Sequence, residues 1–141
     1  MRFALVFIMM LSFTDLASAQ GLATPPENKI KAAMKIMGAN LKLIAQTPVD
    51  ATNQAALVAK AQELRAQILS VAGETPEELA KTVPADQLAS ARLVYEKMMI
   101  NVASQAVDLE VALRKGDQAL VKDAVKAMAD SKSDGHDQFK P

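Results

Sequence analysis

Cysteine and tryptophan are absent from the 141 residues, histidine occurs once, and one tyrosine with four phenylalanines makes up the aromatic content. Without cysteine there are no disulfides, no thiolate-ligated zinc, no iron–sulfur cluster and no C-x-x-C-H attachment of haem. A single histidine and no nearby Ser/His/Asp grouping leave nothing to support nucleophilic catalysis, and there is no glycine-rich phosphate loop. The chain is therefore expected not to be an enzyme. Charge of one sign is also missing, since 16 basic side chains face 16 acidic ones. Such a balance gives no field to recruit nucleic acid or an anionic membrane surface. Strand-like alternation of any useful length is absent as well.

What is present begins with a leader. Arg2, an apolar run from Phe3 to Phe13 and Ala17-Ser18-Ala19 are the parts of a secretory signal peptide. The run falls short of the ~20 apolar residues that span a bilayer. Residues 1–19 are thus expected to be removed on export, leaving 20–141 as one domain with no membrane segment. Arg2 and Asp15 leave together, so the charge balance survives.

The remainder is rich in Ala, Leu, Lys, Gln, Met and Glu, a helix-forming composition. Four helices are predicted, at about 27–46, 50–72, 84–115 and 117–139. The first follows Pro25-Pro26 and stops before Pro48, with Ile30, Met34, Met37, Leu41 and Ile44 forming an apolar seam of about 3.5-residue repeat. Asp50 is a candidate N-cap for the second, whose inward positions are Leu57, Ala61, Leu64, Ile68 and Val71. Residues 73–83 read as the long central loop. The third helix turns Leu88, Ala91, Tyr95, Met98, Val102, Gln105, Leu109 and Ala112 inward; Gly116 breaks it and Asp117 caps the fourth. The breaks at Pro48 and Gly116 are short, so the economical fold is an all-α, antiparallel up-down-up-down four-helix bundle.

Methionine is the residue type that stands out, with Met34, Met37, Met98, Met99 and Met128 all in predicted helices. Met34 lies ~9 Å into the first helix, and His136 lies ~6 Å from the far end of the fourth. In an up-down-up-down bundle these two ends are neighbours. Val121, Val125, Met128, Lys132 and His136 share an arc of ~80°, so His136 continues the inward face. A thioether and an imidazole facing each other across a bundle end form an axial ligand pair for haem iron, one suited to electron transfer.

The spacing of several blocks resembles the cytochrome b-562 family over the whole of 20–141. The blocks are Met34 followed by Asn40-Leu41-Lys42-x-Ile44, then Leu64-Arg65-Ala66 followed by Thr75-Pro76. They continue with Gln105 and Asp108 ahead of Gly116, and the interval from Gly116 to His136. The resemblance implies a periplasmic electron carrier, monomer or weak dimer, with one non-covalent haem b per chain and redox proteins as partners. It implies Met34 and His136 as axial ligands, and it puts Met37, Leu64, Pro76 and Tyr95 in the haem pocket. Met99 stands where the family has a second haem-facing phenylalanine, and Lys132 and Lys140 where it has arginines. Gly135 replaces a usual tyrosine. With Ser131, Ser133 and Asp134 it makes a poor helix, so the chain is expected to fray ahead of His136 until haem binds. Two other readings stand beside this one: a methionine-rich bundle that binds a soft ion such as Cu(I), and a haem-free bundle that binds partner proteins.

Overall fold

The computed structural model describes residues 26–139, with side chains from residue 29 onward. The expected signal peptide at 1–19, the start of the domain at 20–25, and Lys140 lie outside the described residues. The described chain is helical, without a strand. Its elements are α1 (Pro26–Gln46), α2 (Gln54–Ala72), the short α3 (Glu77–Thr82), α4 (Leu88–Lys115) and α5 (Gln118–Phe139). The four long helices form a bundle.

The helix boundaries have local causes. Pro26 sits in the first turn of α1, where its missing N–H costs nothing. Pro48 stops α1, and the Thr47 hydroxyl donates back to the Leu43 carbonyl at 2.8 Å. α2 begins at Gln54 rather than at the expected residue 50. The N-cap position is Asn53, without a side-chain cap bond; Asp50, expected there, instead closes the preceding turn, its carboxylate accepting the Thr52 and Asn53 backbone N–H groups at 2.7 and 3.0 Å. Asn53 then accepts the Asp50 N–H and donates to the Pro48 carbonyl, so local side-chain bonds hold a turn at 51–53 before regular helix starts. The Thr52 hydroxyl, followed by these backbone donors, holds the Asp50 carboxyl below its usual range.

The central connection is not the plain loop expected at 73–83. Residues 77–82 form α3, with Glu77 and Glu78 in its first turn, Lys81 in its last and Leu79 buried. Pro84 then opens a turn closed by the Gln87 N–H on its carbonyl at 2.9 Å, which delays α4 to Leu88. At the other end of α4, Gly116 has φ 67°. Its N–H reaches the Leu113 carbonyl and that of Asp117 reaches Ala112, the two bonds of a Schellman stop. Asp117 caps α5 by accepting the Ala119 and Leu120 N–H groups at 3.0 and 3.1 Å.

Ile44, Leu64, Ile68, Val71, Leu109, Leu113 and Val121 are fully buried at the centre. α2 packs closely against α1 and α4, and α4 against α5, whereas α1 and α5 meet only sparsely. Polar ties join the helices at their edges. Gln54 donates to the Leu113 and Arg114 carbonyls, Gln118 accepts the Val49 N–H, and Gln105 donates to Ser131 at 2.9 Å. Glu110, nearly buried, accepts from Gln62 at 2.9 Å and from Arg114 at 2.8 Å, with Arg65 at 3.6 Å. Arg114 and then Gln62 lower its carboxyl below the ordinary value.

α5 runs unbroken to Phe139, the end expected for the fourth helix, despite the poor helix formers ahead of His136. Two contacts explain it. The Phe139 ring meets the buried Tyr95 edge-on at 5.6 Å between centroids. Gly135 is buried, and a Cβ there would stand 2.9 Å from Met98 Sδ, so the missing side chain lets α5 close onto α4. No helix among the described residues is long and apolar enough to cross a membrane.

Candidate functional site

The sparse α1–α5 contact leaves an opening along one side of the bundle, and there a cavity of about 660 Å³ lies between α1, α2, α4 and α5. Its floor is α2, through Leu64 and Ile68; α4 contributes Met98, Met99 and Val102. α1 lines one wall through Met34, Met37 and Leu41, and α5 lines the other through Val125, Met128, Gly135 and His136. A mainly apolar cavity of a few hundred cubic ångströms with a few polar groups is the usual form of a small-molecule site.

All five methionines of the described chain line this one space, as does the only histidine of the sequence. Met34, Met37 and Met98 are partly buried, and Met99 and Met128 are buried. His136 stands at the mouth, exposed, with no hydrogen bond or ion pair to the described residues. The inward position beside it is Gly135. The wall therefore presents soft thioether sulfur and one imidazole, and no carboxylate. Among the described residues no three His, Cys, Asp or Glu side chains come together, so nothing there matches an oxygen-rich cation site.

Of the residues expected around a ligand, Met34, His136, Met37, Leu64, Met99 and Lys132 are brought to this cavity. Pro76 and Tyr95 are not among its lining residues. Pro76 precedes α3. Tyr95 is 3% exposed and packs on Phe139; its hydroxyl is buried without a hydrogen-bond partner, and burial, then the charge of Glu74, pushes its pKa up to about 12. Lining residues for which the sequence suggests no site role include Lys35 and Lys42. Each directly follows a seam residue, Met34 or Leu41, and that one-residue offset is the signal that puts both on the same rim of α1.

A haem fits the chemistry of this lining: an apolar, methionine-rich wall, a thioether on one side, an imidazole on the other, and no anionic group to oppose its carboxylates. No protein-family model, curated protein or solved structure matches the chain. The resemblance to cytochrome b-562 accordingly rests on the residue spacings given above.

Proposed function

We propose that the protein is a b-type cytochrome of the cytochrome b-562 kind, a carrier of single electrons rather than a catalyst. One observation carries this reading: Met34 and His136, far apart in sequence and on opposite walls, line the same apolar cavity. Met34 and His136 would hold the haem iron, with Met37, Leu64 and Met99 excluding water from the ring. When bound in this way, haem supplies a ferric/ferrous couple whose potential is raised by the thioether relative to two imidazoles. The exposed position of His136 leaves one edge of the site open to a redox partner protein. An up-down-up-down helix order belongs to the same reading. Lys29, early in α1, pairs with Glu74 just past α2, and Gln54 at the start of α2 bonds the end of α4. Export to the periplasm follows from the leader at 1–19.

A second reading has its own support. Five thioethers lining one cavity, from α1, α4 and α5, are a soft-ligand set, the type that selects Cu(I). Haem titration followed by visible spectroscopy separates the two. Sharp low-spin reduced bands at one haem per chain, lost in both Met34→Ala and His136→Ala, support the cytochrome. Absence of those bands together with stoichiometric, methionine-dependent Cu(I) uptake would transfer the site to copper.

A further inference from the structure

The charged residues on the cavity wall are Lys35, Lys42 and Lys132, and no acidic residue joins them. All three are exposed, and none has an ion pair or hydrogen bond to the described residues. Other cations on the same helices do have partners, Lys29 in Glu74 and Lys126 in Asp130. Asp134 and Asp137 flank His136 along α5 but are exposed and outside the lining. A lysine at such a rim lays its methylene stem along the apolar wall and keeps its ammonium in water. The cavity therefore carries three lysines, on α1 and α5, and no carboxylate beside its apolar interior.

We infer that the cavity selects anionic amphiphiles, molecules with an apolar body and a carboxylate, through Lys35, Lys42 and Lys132 at its mouth. The inference rests on the cavity being a ligand site, as proposed above, but it does not depend on iron ligation. For haem b it assigns the two propionate carboxylates to the lysine rim, and it extends the site to other carboxylates of similar apolar bulk. The attraction is between exposed charges and is modest for each pair. Three lysines together favour the carboxylate over its neutral counterpart by about tenfold, and salt weakens that preference.

The test uses two matched pairs of probes on the full chain. Haem b is compared with its dimethyl ester, which keeps the iron and caps both carboxylates, and laurate is compared with 1-dodecanol. Affinities are measured for the parent and for the triple variant Lys35→Gln, Lys42→Gln, Lys132→Gln. The expected result is about tenfold tighter binding of each acid than of its neutral partner in the parent, with the difference abolished in the variant and in high salt. If neither haem form binds but laurate is still preferred through the lysines, the inference stands and the cytochrome reading fails. Equal binding of acid and neutral forms in the parent overturns the inference, as does a variant that loses both forms alike or a cavity that takes neither pair.

Discussion

Truncating Phe139 to alanine tests what keeps the end of α5, and with it His136, in place. Ser131, Ser133, Asp134 and Gly135 together cost the helix about 2.5 kcal/mol relative to alanine. Against this, the partly buried Phe139 ring supplies about 2 kcal/mol of burial and its edge contact with Tyr95 about 1 kcal/mol more. With the ring in place the two sums nearly cancel; once it is gone the helix cost stands unopposed, so the last two turns should fray while the bundle survives. Global stability by urea unfolding should fall by only about 2 kcal/mol, because residues that fray first cease to contribute. Backbone amides at 134–139 should lose their hydrogen-exchange protection while those of α2 keep it. If the helical end is then populated about one-tenth of the time, apparent haem affinity drops about tenfold without any change to a ligand. Native-like protection at 134–139 together with a stability loss below about 0.5 kcal/mol would show that the aromatic contact does not hold this end.

Three further outcomes follow from the polar and backbone geometry. Tyr95→Phe removes a buried hydroxyl that has no partner and should raise stability by about 1 kcal/mol in chemical denaturation. Because folding raises the Tyr95 pKa to about 12, its contribution is complete below its unfolded value and disappears as pH climbs through the folded one. Loss of stability between pH 10 and 12 should accordingly be smaller in Tyr95→Phe. Glu110→Ala should cost about 1.5–3 kcal/mol, since it strips Gln62 and Arg114 of their acceptor. The folded Glu110 carboxyl titrates below its ordinary 4.5, so the stability it gives is present above that value and fades as pH falls through the lower folded one. The thermal midpoints of parent and Glu110→Gln should then converge on acidification. Gly116→Ala should cost about 1 kcal/mol, or roughly 4 °C in melting temperature, with ligand binding unchanged. The added methyl group would meet only Gln54 Nε2 at 3.7 Å, so the penalty is that of the backbone at φ 67° alone.

The parts of this architecture that could be read from sequence are those with local causes. Gly116 and Asp117 stop one helix and start the next through bonds within a few residues, and the α1 seam from Ile30 to Ile44 shows its period along a single helix. α3 escaped because six residues with one buried side chain, Leu79, display no period. Asp50 reads as the N-cap of the second helix, but its mutual bonds with Asn53 hold a turn that postpones α2, and those bonds depend on the turn they create. The site was legible in its residue types and in the convergence of Met34 and His136. The exposure of His136 was not, because the rotation of α5 is set across the bundle by Met98 closing onto Gly135. The resemblance places Tyr95 in the ligand pocket, yet its ring packs on Phe139 at the end of α5, a contact between helices that no local pattern displays.

The open seam between α1 and α5 also bears on the order of events in folding. Met34 and His136 stand on the order of a hundred residues apart, so joining their walls closes the longest loop in the described chain. Contacts between neighbouring helices, such as α1 with α2 and α4 with α5, close far shorter ones and should form first. The cavity is then the last feature to assemble and the first to reopen, by a partial excursion well short of global unfolding. A ligand held as proposed would enter and leave on the timescale of that excursion, and by bridging the two walls it would supply the closure that the protein's own side chains make only weakly.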